Sequence, residues 1–296
     1  MSSTSDKYER DVAKHINGSL KGMKAERPKV SVSFPDVLVT CPSLSAKPVW
    51  VEVKMDHNAF LMNPRFSYVF RDSGKSGWEV SYDKTAAAQL IREGKEPVTN
   101  ETPATDILLR LLNNSKEATL WVDTLRSFLK DTMPTKWNNA SLKYYFSIFS
   151  TSTNRKANEN RTVEVNEMKA FLAAIKNPKT KYYKALGGRG NQTIATLKFD
   201  VGKLVTIHYA NKSAPADYMV SGGEFYRIGE KNPLKLKGIP AIDDVSRPES
   251  FTIRIGSRTD NFEIQPDIKL SHWPVSKYSI IPKRGYKNPF TQQEYK

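Results

Sequence analysis

Residues 30–56 read VSVSFPDVLVTCPSLSAKPVWVEVKMD. Two apolar, β-branched runs, SVSFPDVLVT and PVWVEVKM, flank the Pro/Ser-rich link from Cys41 to Pro48. This form predicts two neighbouring strands joined by a long loop. Asp36, Glu52 and Lys54 interrupt the runs with charge. Side chains two apart on a strand share a face. Glu52 and Lys54 are therefore expected on one face with Trp50, and Val49, Val51, Val53 and Met55 on the other, in a core. Asp36 follows Pro35, a residue without a ladder donor that belongs at a strand edge, start or bulge. Pairing of the two runs brings Asp36 beside Glu52. Two carboxylates and an ammonium on a buried face are costly unless they pair or hold a cation. Hard divalent ions such as magnesium prefer such oxygen ligands. The plain alternative is an edge hairpin with a solvated Glu/Lys face.

The chain has 296 residues and a net charge of +15, which suggests two domains, or one core with a large extension, and a polyanionic partner. Nucleic acid is the first candidate and an acidic membrane surface the second. Five Trp, 13 Tyr and 13 Phe argue against disorder. No apolar run is long enough to span a bilayer, and the first residues, MSSTSDKYER, lack the apolar segment of a secretory signal. The single cysteine, Cys41, excludes an intrachain disulfide and a zinc finger. A cytoplasmic protein that meets DNA is expected.

Residues 6–20 are predicted helical on the stripe Val12, Ala13, Ile16 and Leu20. Glu9 precedes Val12 and Ala13 by three and four positions, so it lies on the buried stripe. It is either a ligand aimed at a site or a carboxylate favoured by the helix dipole. Residues 65–70 and 78–82 are predicted as further extended structure beside the Glu52 strand, with Arg65, Arg71 and Lys75 interleaved among aromatics. Basic and aromatic interleaving suits phosphates and bases; the plain alternative is a sheet with a solvated basic face. His57 is close to the charged cluster; it is either a phosphate contact or, as a lone histidine more often is, a bystander. Residues 83–92, with Lys84, 105–113, 116–130 and 164–176 are predicted helical, and the helices after residue 104 are expected to pack on the sheet. Residues 180–191 are expected to be a basic, aromatic loop with Arg189 among glycines, either one whose backbone approaches a phosphate closely or a plain loop. From Thr193 onward the short alternating runs predict strands only, and the Pro-rich tail is expected to wrap them. The domain expectation is therefore an α/β domain over 1–192 and a basic β-rich domain over 193–296 that contacts DNA.

Pro35-Asp36 followed by Glu52-Val53-Lys54 resembles the PD-(D/E)xK nuclease superfamily, which includes many restriction and phage endonucleases. The resemblance spans roughly residues 1–90. It implies an α/β fold, a restriction-endonuclease-like mixed sheet flanked by helices, here followed by the all-β domain. It implies that Asp36, Glu52 and the Val53 carbonyl hold Mg2+, with Mn2+ able to substitute, and that Glu9 adds a ligand. Lys54 would position the attacking water or help to deprotonate it. The implied activity is endonucleolytic hydrolysis of DNA phosphodiester bonds to 5′-phosphate and 3′-hydroxyl ends. Arg65, Arg71, Lys75, Lys84 and Arg189 would grip the DNA. Superfamily members often dimerise to cut both strands, and a phage origin would place the protein in the host cytoplasm. The alternative is a non-catalytic DNA-binding or virion structural protein with a nuclease-like fold.

Overall fold

The computed structural model describes residues 4–28, 35–59, 61–62, 66–69, 76–80, 103–138, 145–147, 160–188, 192–211, 214–244, 249–257, 262–269 and 276–296. Helix α1 (Thr4–Asn17) buries Glu9, Val12, Ala13 and Ile16, with Asp6 in its first turn and Lys14 and His15 in its last, as the dipole favours. Strands β1 (Lys24–Glu26), β2 (Val37–Thr40) and β3 (Val49–Lys54) follow as an antiparallel meander. The chain then builds β4 (Phe66–Val69), β5 (Gly77–Val80), α2 (Pro103–Asn113), α3 (Lys116–Thr132), β6 (Tyr145–Ser147), β7 (Asn160–Thr162), α4 (Val165–Lys176) and α5 (Lys181–Ala185). After β8 (Thr193–Lys198) come α6 (Val201–Ala210), β9 (Tyr218–Ser221), β10 (Glu224–Arg227), β11 (Ser250–Ser257) and β12 (Phe262–Asp267).

Among the described residues the strands form two five-stranded sheets and the parallel pair β6-β7. The first is mixed, in the order β1-β2-β3-β9-β10, with β3 and β9 parallel. The second is antiparallel, in the order β5-β4-β12-β11-β8. The fold is thus mixed α/β. The expected boundary at 192/193 separates neither sheet, because β9 and β10 complete the first and β4 and β5 complete the second.

Three further expectations are corrected. Strands β4 and β5 do not lie beside β3; Phe66 pairs with Ile264 of β12, and both side chains are fully buried. Helices α2 and α3 pack on β5 and β8 of the second sheet rather than on the sheet that carries the motif. The region after Thr193 is not all-β. Asp200 caps α6 by accepting the Lys203 N–H at 2.8 Å, and Val201, Leu204, Val205 and Tyr209 bury one face at helical spacing. The valines and isoleucine of this helix favour strands by propensity, and packing overrides them.

Two cores meet at the first sheet. One of its faces contributes Val51, Val53, Tyr218, Val220 and Phe225 to a core closed by Val12 and Ile16 of α1 and by Ile280 and Phe290 of the tail. The tail runs along β10, where Phe225 donates to the Tyr278 carbonyl and Ile280 to that of Gly223, as the wrapping expectation required. The other face sends Met219 and Tyr226 into the larger core, which also holds Tyr209, Trp121, Trp137 and Phe171. Among the described residues no helix is long and apolar enough to cross a membrane.

Candidate active site

The charged residues of the opening stretch are brought together. Val37 pairs with Val51 and Leu38 with Trp50, so the same register, continued one step, sets Asp36 opposite Glu52. Asp36 Oδ2 accepts the Val53 N–H at 2.8 Å. Lys54 Nζ donates to Glu52 Oε1 at 2.8 Å, on the same face of β3. Glu52 is buried and Lys54 keeps 19% of its side chain exposed, whereas Met55, expected in the core, is 46% exposed because β3 ends at Lys54.

Backbone alternation explains the role of Pro35. The carbonyls of Trp50 and Lys54 accept from Asp217 and Gly222, on the β9 side. Val53, one residue out of phase, therefore turns its amide group toward β2, where Asp36 takes the N–H. The register sets Pro35 opposite Val53, and a proline has no N–H to offer the Val53 carbonyl. The backbone oxygen that the resemblance assigns to a metal thus faces a position that supplies no ladder donor.

The electrostatics are those of crowded carboxylates. Burial, then the charge of Glu52, pushes the Asp36 carboxyl up to about 7, against Lys54 and the Val53 N–H; Glu9 adds to the push. Burial opposes the Lys54 ammonium, but Glu52, Tyr209 and Asp36 outweigh it and hold the lysine protonated, above its ordinary value. Glu9 faces inward from α1, as its position on the stripe requires. Both its oxygens are engaged: Oε1 accepts from Ser5 Oγ at 2.9 Å and Oε2 from Arg27 Nε. Arg27 also bonds Asp6 Oδ1 at 2.7 Å. Among the described residues no group of three or more His, Cys, Asp or Glu side chains is arranged to hold a metal ion. Arg65, Arg71, Lys75, Lys84 and Arg189 lie outside the described residues.

Tyr209 belongs to this site and was missed in the sequence. Helix α6 carries it, fully buried, to the Lys54 ammonium, and its hydroxyl donates to the Leu61 carbonyl. Burial first, with Glu52 and Asp36 adding, holds the phenol protonated against the pull of Lys54. The signal was the spacing of Val201, Leu204, Val205 and Tyr209, hidden by the strand-like alternation before it.

The same face continues across the sheet. Lys54 pairs with Ser221 of β9, and Ser221 with Glu224 of β10, while Glu52, Met219 and Tyr226 form the neighbouring row. Glu224 is buried and its Oε2 meets His57 Nε2 at 3.1 Å and the Tyr226 hydroxyl at 3.0 Å. Its Oε1 accepts from the Tyr286 hydroxyl at 3.2 Å and faces Lys283 Nζ at 3.7 Å. His57 is therefore anchored rather than a bystander. The remaining buried glutamate among the described residues, Glu167, has a structural explanation: it bonds Lys136, the Trp137 indole and the Glu164 N–H that opens α4. No family model matches the chain, and neither the curated proteins nor the solved structures contain a match.

Proposed function

We propose that the chain is a magnesium-dependent deoxyribonuclease of the PD-(D/E)xK type, hydrolysing DNA phosphodiester bonds endonucleolytically. The observation that carries this reading is the position of Asp36 opposite Glu52, with Lys54 on the Glu52 face. The donor set fits a hard cation: Asp36 and Glu52 supply carboxylate oxygens, and the Val53 carbonyl faces Pro35. Magnesium commonly takes only one or two protein carboxylates and fills its shell with water and phosphate oxygens. Glu9, tied to Arg27, acts through its charge rather than as a ligand. Bound there, the ion would polarise the scissile phosphate as a Lewis acid.

The chain's own groups would do the rest. Lys54, held protonated, donates to the attacking water or to a phosphate oxygen and stabilises the charge that builds there. Tyr209 fixes the ammonium from behind, since its hydroxyl is itself locked on Leu61. The net charge of +15 draws the polyanion in. A homodimer, cutting both strands, and action in a host cytoplasm are parts of the same proposal.

Supercoiled plasmid with magnesium is expected to be nicked or linearised, and EDTA or Lys54→Ala to abolish this. Cleavage that survives both controls would sink the assignment of this site. A second reading, a non-catalytic DNA-binding or virion structural protein, draws on the Lys54–Glu52 and Arg27–Glu9 pairs, which compensate charge without a metal. Salt-sensitive retardation of DNA, with no cleavage in magnesium or manganese, would favour it. An RNA substrate in the same assay tests a preference for RNA.

A further inference from the structure

The Glu224 cluster is unexplained by the chemistry assigned to Asp36, Glu52 and Lys54. A buried carboxylate needs partners, but one or two hydrogen bonds would serve; Glu224 has three segments of chain converging on it. His57 comes from the turn after β3, Tyr226 from β10, and Lys283 and Tyr286 from the tail. The turn between β9 and β10 is shaped to admit the imidazole. Gly222 has φ +57, and a β-carbon there would lie 2.9 Å from His57 Nδ1. Burial opposes ionisation of Glu224, yet hydrogen bonds from His57 and Tyr226, the charge of His57 and the Tyr286 hydroxyl outweigh it and hold the carboxyl below its ordinary value. An ionised Glu224 only accepts, so Nε2 of His57 carries its hydrogen there. A phosphate oxygen only accepts, so the form that meets it is the imidazolium, which gives Nε2–H to Glu224 and keeps Nδ1–H for the anion; 29% of the side chain is exposed. Lys283, 53% exposed, stacks its ammonium on the Tyr286 ring at 4.1 Å from the centroid.

We propose that His57 and Lys283, anchored on Glu224, form a second phosphate-binding locus that takes a backbone phosphate of the nucleic acid flanking the one at Lys54. Lys54, Ser221 and Glu224 stand in one row across three strands. Two strand spacings separate the row's ends by about 10 Å, on the order of three nucleotide rises along a strand. A nucleic-acid strand crossing the sheet at the end of β3 therefore meets Lys54 and then the His57–Lys283 pair. His57 and Lys283 touch the substrate; Glu224 is a positioning residue, and Asp56, beside His57, is occupied in capping the Asn58 N–H at 2.7 Å. This locus rests on the nuclease reading only for its substrate's fate, not for its contact with phosphate.

The test uses the full chain. Affinity for a short fluorescein-labelled duplex is measured by anisotropy in calcium at two salt concentrations, and cleavage kinetics in magnesium. His57→Gln keeps a side-chain donor for Glu224 and removes the second ring nitrogen. His57→Gln and Lys283→Gln are each expected to weaken binding by about tenfold and to lower the salt slope by about 1. KM should rise by a similar factor while kcat stays within about twofold. Glu224→Gln is expected to raise KM likewise and to shift the 15N resonances of the His57 ring. Unchanged affinity and KM in both His57→Gln and Lys283→Gln would overturn the locus. If wild-type protein cleaves nothing but these variants lose affinity, the locus stands and the nuclease reading falls. If cleavage is robust and the variants match wild type, the reverse holds.

Discussion

At the scale of single residues, the site is a set of charges held close at a cost that a cation would relieve. Asp36 shows this most directly. Its carboxyl is raised from the ordinary 3.8 to about 7 by burial and by Glu52. A raised acid is bound to its proton in the folded state before it is in the unfolded one, so its favourable contribution is complete below about pH 4 and is lost as the pH rises to about 7. Asp36→Asn removes this penalty while its amide oxygen still accepts from Val53. The variant is expected to be more stable than wild type at about pH 8, by on the order of 2 kcal/mol, and nearly equal to it at about pH 4. Urea unfolding at the two values checks this, and an equal effect at both would contradict the crowding. The same proton competes with metal, so Mn2+ affinity measured by calorimetry should fall by about tenfold per pH unit below about 7. Tyr209→Phe deletes the donor to Leu61 and the contact with Lys54. It should cost about 1–2 kcal/mol in denaturant unfolding and, if the nuclease reading holds, lower kcat more than it alters KM.

Single elements separate what the sequence reveals from what it hides. The β2–β3 stretch was legible because its alternation is strict: Val49, Val51 and Val53 point one way and Glu52 and Lys54 the other. The meeting of Asp36 with Glu52 follows from that register once the strands pair. The inward Glu9 was legible for the same reason, from helical periodicity, but its bond to Arg27 was not, since a separation of 18 positions in sequence sets no geometry. Helix α6 was lost because strand-forming valines and isoleucine follow directly on β8 without a glycine or proline between. The β9–β10 hairpin was foreshadowed by Gly222-Gly223, whose positive φ values suit a tight turn, but its partner strand β3 lies far upstream. Its geometry yields a test. Gly222→Ala puts a β-carbon into the left-handed region and against the His57 ring. A loss of about 1–2 kcal/mol is expected, together with the raised KM of His57→Gln. A stable variant with wild-type KM would show that the turn does not position the histidine.

At the scale of the whole molecule, composition suggested two domains in series, and the strand order says otherwise. The parallel pairing of β3 with β9 joins a strand ending at Lys54 to one beginning at Tyr218, so every element between them is inserted into the first sheet's connection. The second sheet is likewise interleaved: β12 stands between β4 and β11, and β4 comes from the N-terminal part. Long-range strand order of this kind leaves no local trace, because each strand carries only its own face pattern. The consequence is physical. A fragment comprising residues 1–192 would keep Asp36, Glu52 and Lys54 but lose β9 and β10, exposing the β9 edge of β3 and the valines that Val220 and Phe225 cover. It would also lack Tyr209 against Lys54. Such a fragment is expected to show no cooperative thermal transition and to expose apolar surface to a hydrophobic dye. A fragment comprising 193–296 should behave in the same way, because β12 would lack β4 and β9 would lack β3. Mixing the two should restore a single transition, with plasmid cleavage if the nuclease reading holds. Independent, cooperative unfolding of either piece would mean that the two sheets are separable despite their shared strands, and that the site between Lys54 and Glu224 is assembled by docking rather than by the fold.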